Sequence, residues 1–226
     1  MIPEEVLLTW GATYKQLSPG EIIFTEGSQC NFYYQIVSGE VKWYNINDEG
    51  RACIQMLLTN NECFGELPLF DDGPYAASAA AETNVTLLRL HKNTFRKLLT
   101  DDAQLSLKFS VLLAQRLRYK FLMHKEMACH EPEKRINALL SYLRNNKKNI
   151  CCFCNQIKLT RQQIADLTGL RVETVIRCMR NMHERGDIFI ERGKVYLTNP
   201  HLLPTSITAA TTTCNFKIVQ SRQVLV

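Results

Sequence analysis

The chain has 226 residues, 46% of them hydrophobic and 22% charged, with a formal net charge of +5. It is long enough for one large domain or two small ones with real hydrophobic cores. No apolar run would cross a bilayer, and the opening MIPEEVLLTW lacks the basic start and apolar core of a secretory signal, so a cytoplasmic protein with no membrane contact is expected.

The charge is uneven. Residues 1–130 carry 12 Lys+Arg against 15 Asp+Glu, whereas residues 131–200 carry 13 against 7. A basic C-terminal half suits attraction to phosphates.

Between residues 17 and 90 the runs EIIF, NFYYQIVSG, EVKWYNI, ACIQML and NVTLLRL are rich in β-branched and aromatic residues. Gly20, Gly27, Gly39, Gly50, Gly65 and Gly73 punctuate them. That spacing predicts a small β-barrel or jelly roll. The step Gly65-Glu66 predicts the opening of a short helix whose free N–H groups face the barrel interior. KNTFRKLLT at 92–100 predicts another short helix, and a long one runs from about Asp102 to about Cys129. Its apolar residues fall in two stripes: Leu105, Phe109, Leu112, Tyr119 and Met123, then Leu113, Leu117 and Met127. Two stripes imply two packing partners, assigned here to the helix's own barrel and to a symmetry mate. Glu131-Pro132 breaks the helix and marks a hinge or domain boundary. EKRINALLSYLRN at 133–145 then begins the next domain as a helix.

Residues 156–199 read as strand, helix, tight turn, helix and hairpin. Thr160 stands where an N-cap belongs, and Gln163 completes a capping box. Ile164 and Leu167 face inward, and Gly169 supplies the turn. A second helix starts near Arg171–Val172 and ends before Gly186, with Val175, Met179 and Met182 as its buried stripe. Glu173, Thr174, Arg177 and Arg180 are left on its open face. Glu173 and Arg177 are four residues apart, so both lie on one face and can read neighbouring base pairs. Arg pairs with guanine O6/N7, and Glu accepts from cytosine N4. Ile188–Glu191 and Lys194–Leu197 alternate around Arg192-Gly193 as a hairpin, a wing whose Arg192 and Lys194 suit phosphate contact. The pattern is a winged helix-turn-helix. Its DNA-binding candidates are Thr160, Arg161, Arg171, Val172, Glu173, Thr174, Arg177, Arg180, Arg192 and Lys194. The fold class is α+β, and the expected domains are a sensing barrel at 1–101, a dimerisation helix at 102–130, the DNA-binding domain at 131–203 and a Thr-rich tail at 204–226.

Taken together, the glycine-punctuated barrel, the Gly-Glu-Leu segment, the long helix and the winged helix resemble the CRP/FNR superfamily of bacterial transcription regulators. The likeness covers about residues 15–203. FGELPLFDDGPYAASA (64–79), AQRLR (114–118) and LTRQQIADLTGLRVETVIR (159–177) carry it most specifically. It implies a cyclic-nucleotide-binding-like barrel that senses a small molecule or carries a cofactor. It also implies long helices that pair into a homodimer, recognition helices in successive major grooves of a palindrome, and RNA polymerase as a second partner. Glu173 and Arg177 fall on the family's base-reading positions. Val172 matches the oxygen/redox branch, whereas Ile176 departs from the Ser common there, and a TTGA-like half-site follows.

The family's nucleotide cassette carries over only in part. The effector pocket would be lined by Gly65, Glu66, Leu67, Ala76, Ala77, Arg116 and Lys120. Ala76 and Ala77 stand where an Arg-Ser pair would grip a cyclic phosphate, and alanine supplies no charge-assisted hydrogen bond. Lys120 and Phe121 replace the hydroxyl pair that would meet adenine. Cyclic AMP is therefore not the expected effector, and Glu66 is expected to pair with Arg116 and close the pocket. Lys120, Arg116 and Arg118 offer an alternative berth for an anionic metabolite.

Nine cysteines in a reducing compartment are expected as thiols or ligands rather than disulfides. No N-terminal cysteine cluster precedes Cys30, so an iron–sulfur centre is not expected, although Cys30, Cys53 and Cys63 share the barrel. Haem remains a candidate cofactor, with His91, His124 and His130 as axial ligands. Cys151, Cys152 and Cys154, with His124, are the candidates for a metal. The segment is expected as a strand or a loop; on a strand Cys152 and Cys154 would share a face, open to metal binding or oxidation, and ordinary thiols are the alternative. The rival function is a haem- or thiol-based redox or nitrosative-stress sensor whose DNA domain is secondary. No P-loop, nucleophile–base pair or metal-hydrolase motif is present, so an enzyme is not expected.

Overall fold

The computed structural model describes residues 1–129 and 131–198, Cys129 by its backbone alone. His130 and the 204–226 tail, both singled out above, lie outside the described residues. The chain forms two compact units, the first ending at Lys120 and the second beginning at Phe121.

The first unit opens with helix α1 (Glu4–Thr9), which the sequence reading did not anticipate. Eight strands follow: β1 (Thr13–Leu17), β2 (Ile22–Phe24), β3 (Phe32–Ser38), β4 (Val41–Ile46), β5 (Ala52–Leu58), β6 (Cys63–Phe64), β7 (Ser78–Ala81) and β8 (Val85–His91). They form two four-stranded antiparallel sheets, ordered β1-β8-β3-β6 and β2-β7-β4-β5. This is the expected jelly roll. Helix α2 (Leu67–Asp71) follows β6, α3 (Lys92–Asp101) follows β8, and α4 (Ala103–Cys129) is the long helix.

Strand β3 explains how two cores share one sheet. Its residues Tyr33, Tyr34, Gln35 and Ile36 are all buried, because successive strand side chains point to opposite faces and both faces are covered. Tyr33 stacks on Phe95 of α3 with ring centroids 4.6 Å apart and meets Phe109 of α4 edge-on at 6.0 Å. Tyr34 points the other way, to Phe64 at 5.6 Å and Phe24 at 5.8 Å. Gln35 is buried but satisfied: its amide nitrogen donates to the Ile2 carbonyl (2.8 Å), and its oxygen accepts from the Tyr33 hydroxyl (2.7 Å) and the Ile2 N–H (3.2 Å). Those bonds and buried Leu7 fix the N-terminal segment on the sheet.

Helix α4 buries Leu105, Phe109, Tyr119 and Met123, the first expected stripe, with Leu112 half-buried. The second stripe lies mostly open on this chain, as a face assigned to a symmetry mate would. Leu113 is half-buried, and Leu117 and Met127 are exposed, joined by Leu107, Val111 and Phe121. The outward apolar face is thus wider than the sequence reading gave.

The second unit contains α5 (Pro132–Asn145), β9 (Gln156–Ile157), α6 (Arg161–Thr168), α7 (Val172–Glu184), β10 (Phe189–Glu191) and β11 (Lys194–Tyr196). Pro132 sits in the first turn of α5, where a missing N–H costs nothing. The three helices enclose a core of Ile136, Leu139, Leu140, Leu143, Ile164, Leu167, Val175, Met179 and Met182. Arg185 closes the unit by bonding Asp187 (2.9 Å) and Glu133 at the start of α5.

Phe95 is fully buried in the stack that holds α3 and α4 to the barrel. Phe95→Ala should destabilise the protein by about 3–5 kcal/mol, the usual cost of emptying an aromatic core site. Denaturant unfolding measures this, and a loss below about 1 kcal/mol would show that the stack is dispensable.

Candidate nucleic-acid interface and barrel site

The helix-turn-helix is built from local chemistry. Thr160 Oγ1 accepts from Gln163 N at 3.1 Å, and Gln163 Oε1 accepts from Thr160 N at 2.9 Å, a reciprocal capping box at the start of α6. Gly169 ends α6 in the left-handed region at φ 66°. A Cβ there would also lie 2.8 Å from Met127 Cε of α4. The turn therefore needs glycine twice, for its dihedral and for its close neighbour.

Helix α7 places Val175, Cys178, Met179 and Met182 inward. Arg171, Glu173, Ile176, Arg177 and Arg180 are exposed, and Val172 and Thr174 are half-buried. Arg171 is the N-cap residue and makes no side-chain cap bond. Thr160 is exposed and Arg161 half-buried. Burial lowers the Arg161 pKa from its ordinary value.

The wing is a two-residue hairpin in which Glu191 faces Lys194. Arg192 and Gly193 both have positive φ, 48° and 77°, the signature of a type I′ turn. Arg192 is exposed at the tip and Lys194 is half-buried. β11 also pairs with β9, giving a three-stranded sheet ordered β10-β11-β9.

The cysteine segment takes the loop alternative, and the shared face expected of a strand does not form. Residues 152–154 form a turn, not a strand. Cys151 and Cys154 are buried together against Tyr196, with Phe189 packed beside them, whereas Cys152 is exposed. Cys152 and Cys154 thus lie on different sides. Among the described residues no three His, Cys, Asp or Glu side chains gather as metal ligands. This holds for Cys151, Cys152, Cys154 and His124, and for Cys30, Cys53 and Cys63. Burial pushes the Cys63 thiol up to about 12, which keeps it protonated. His91 caps α3, accepting from Asn93 N at 3.3 Å, and lies against Phe32. His124 is exposed on α4. His91 is exposed as well, so neither side chain is buried in a core as a haem ligand would be.

The barrel site is closed by charge and by aromatic packing. Glu66, the N-cap residue of α2, is 1% exposed and forms an ion pair with Arg116 of α4. Arg116 also donates to the Cys63 carbonyl at 2.6 Å and lies over the Trp43 ring at 5.8 Å. Burial opposes the Arg116 charge, but Glu66 outweighs it and raises the guanidinium's pKa. The Glu66 carboxylate is held by Arg116, and Trp43 Nε1 has no hydrogen-bond partner among the described residues. Lys120 bonds both the side chain and the backbone carbonyl of Gln55, and burial lowers its pKa. Gly65 lies under Phe24 and Tyr75, which stack at 3.7 Å; a Cβ at Gly65 would fall 2.6 Å from Phe24. Leu67 and Ala76 are exposed and Ala77 is buried. Ala76 offers only its carbonyl, which accepts from Asn45 at 2.9 Å.

The structure therefore brings Gly65, Glu66 and Arg116 together and places Lys120 on β5. Sequence reasoning missed Trp43, Phe24, Tyr75 and Gln55. No local spacing joins these residues; strand pairing across the sheets does.

Comparisons with known proteins divide the chain in the same way. Residues 14–102 match the cyclic nucleotide-binding domain and residues 134–204 the Crp-like helix-turn-helix domain. The cyclic AMP receptor protein of Thermus thermophilus is 29% identical over 205 residues, covering 90% of this chain and 92% of that one. The CRP-like cAMP-activated global transcriptional regulator of Mycobacterium tuberculosis is 28% identical over 199 residues, 85% of this chain and 89% of its own. Among solved structures, the c-di-GMP responsive regulator CLP of Xanthomonas campestris superposes with a TM-score of 0.71 at 19% identity, covering 87% of this chain and all of that one. FixK2 of Bradyrhizobium japonicum gives 0.69 at 22% identity, covering 84% and 94%. At these identities the superpositions speak for the fold alone.

Removing one partner from a buried ion pair strands the other charge, so Arg116→Ala should cost about 3–5 kcal/mol in guanidinium unfolding. Replacing both residues, Glu66→Leu with Arg116→Leu, should recover most of that loss. Additive losses in the double-mutant cycle would show that the two side chains do not interact.

Proposed function

The chain belongs to the CRP/FNR family of DNA-binding transcription regulators, and we propose that it acts as a cytoplasmic homodimer, not an enzyme, on a palindromic DNA site. The observation that carries this reading is the α7 face, where Glu173 and Arg177 are exposed one turn apart on a helix whose opposite side is fully packed. Each α7 would read one half-site. Arg171, Thr174 and Arg180 would flank the reading pair, and Val172 and Ile176 would offer apolar contact to a thymine methyl. Thr160, Arg161, Arg192 and Lys194 would hold the phosphates on either side. The outward apolar face of α4, Leu107, Val111, Leu117 and Phe121, supports pairing of two such helices. RNA polymerase is the second partner this reading implies.

The signal reaches the barrel, and we propose that it is not cyclic AMP. The named relatives are cyclic-AMP proteins. Here the position that would grip a cyclic phosphate offers only alanines, and Glu66 is committed to Arg116. The barrel would act by biasing α4, whose last turns reach the helix-turn-helix at Met127 and Gly169. A ligand that favours one helix arrangement then shifts the population of DNA-competent dimers.

Selection from random duplexes, followed by binding titrations, tests the reading face. Glu173→Ala and Arg177→Ala should each lose about 1–3 kcal/mol and relax specificity at one base pair of the half-site. Arg192→Ala should weaken all sequences alike and reduce the slope of log affinity against log salt by about 1. Unchanged site preference in both α7 variants would refute the reading helix. Calorimetric titration with cyclic AMP should give no saturable heat, and a saturable response that alters DNA affinity would refute the proposal about the signal.

A further inference from the structure

We propose that Cys151 and Cys154 form a redox-responsive dithiol that closes to a disulfide and is read by the wing. The two cysteines are the ends of a C-x-x-C sequence folded as a single turn, closed by the Asn155 N–H bonding the Cys151 carbonyl at 3.0 Å. This is a five-residue turn of the helical kind, in which Cα atoms three residues apart stand about 5 Å from one another, within the span a disulfide requires. Both side chains are buried in one small cluster with Tyr196, while Cys152 is turned to solvent. The turn thus selects the 151–154 pair over any pairing with Cys152.

The same turn is fastened to the wing. Cys151 N donates to the Gln156 carbonyl at 2.9 Å, and Leu197 N donates to the Asn155 carbonyl at 3.1 Å. Asn155 Nδ2 also donates to Thr198 Oγ1 at 3.1 Å. Gln156 and Ile157 pair with Tyr196 and Val195 of β11, the strand that begins at Lys194. Phe189 of β10 packs on the cysteine cluster. A new bond between Cys151 and Cys154 must therefore repack Tyr196 and Phe189, one from each strand of the wing hairpin.

The oxidant is a small disulfide of the glutathione type. One protein thiolate attacks a sulfur of that disulfide, and the first half leaves as a thiol. The second cysteine then displaces the other half as a thiol while the Cys151 Sγ–Cys154 Sγ bond forms. The protein loses two protons and two electrons, and the small disulfide gains them. The exposed tip, Cys152-Phe153, lets a local opening of the turn admit the reagent.

The full-length protein is equilibrated in buffers of graded oxidised-to-reduced glutathione, alkylated and digested for mass spectrometry. The peptide holding residues 151–154 should lose two hydrogens through a Cys151–Cys154 link. Affinity for a selected duplex should change by about five-fold or more, the lower range of coupling between sites, and return on reduction. Cys154→Ser should lose both responses, Cys151→Ser serves if that variant fails to fold, and Cys152→Ser should keep both. Cysteines that stay reduced across the series, a link that includes Cys152, or an oxidised protein that binds DNA as the reduced one does would each overturn the proposal. DNA binding by the reduced protein is measured alongside, so failure of the redox response is distinct from failure of the DNA-binding reading.

Discussion

A charge buried under a sheet must be matched where it lies, and the Glu66–Arg116 pair is where barrel and long helix are matched. Its effect is geometric before it is energetic. Once Arg116 points inward, helical spacing buries Leu105, Phe109 and Tyr119 on the same side, with Phe109 against Tyr33 and Phe95. The residues left over are then settled: Leu107, Val111, Leu117 and Phe121 face away from the barrel. One ion pair thus fixes the rotation of α4 and with it the surface through which a second copy could be met. It also occupies the carboxylate and guanidinium that a small ligand would otherwise engage.

The aromatic residues reinforce this closure. Phe24 and Tyr75 stack over Gly65, and Phe64 and Tyr34 complete the set. Tyr75, buried beside Cys30, has its pKa raised by burial first and by that thiol second, so it stays a neutral donor. The site is therefore apolar around one neutralised pair, with Trp43 Nε1 as a buried donor lacking a partner among the described residues. A ligand suited to it would have to displace rings or the ion pair, a different task from filling a preformed polar cradle.

What could be read from the sequence was what local chemistry decides. The capping box at Thr160, the turn at Gly169, the inward stripe of α7 and the wing at Arg192-Gly193 each depend on residues within one or two turns of each other. The strands β3, β4, β5 and β8 announced themselves by β-branched and aromatic content. By contrast β7, Ser-Ala-Ala-Ala, carries no strand propensity. It is extended because β2 and β4 pair with it on both sides, and Ala79, Ala80 and Ala81 are buried there. Helix α1 was missed for a related reason: its place depends on Gln35, more than two dozen residues away in the chain. The cysteine segment stayed open between strand and loop because Cys-x-Cys alternation fits a strand, whereas the backbone turns at 152–154 and Asn155 takes φ 54°. The Glu66–Arg116 pair was foreseen only because the family resemblance placed both residues at one pocket.

The wing tip adds a last constraint. A type I′ turn favours Asn, Asp or Gly at both central positions, since each must take positive φ. Here the first of them is Arg192, at φ 48°. A left-handed conformation costs an ordinary L-residue about 1–2 kcal/mol, and the exposed Arg192 side chain makes no packing contact that would offset this by burial. Among the described residues, most other non-glycine residues with positive φ are Asn or Asp, which tolerate it. Strain observed at a residue points to a requirement elsewhere than in the fold. A long cation at the apex of a hairpin, on the basic half of the molecule, meets that requirement if its partner is a phosphate backbone. The local backbone and the charge distribution thus agree on the same surface by independent routes.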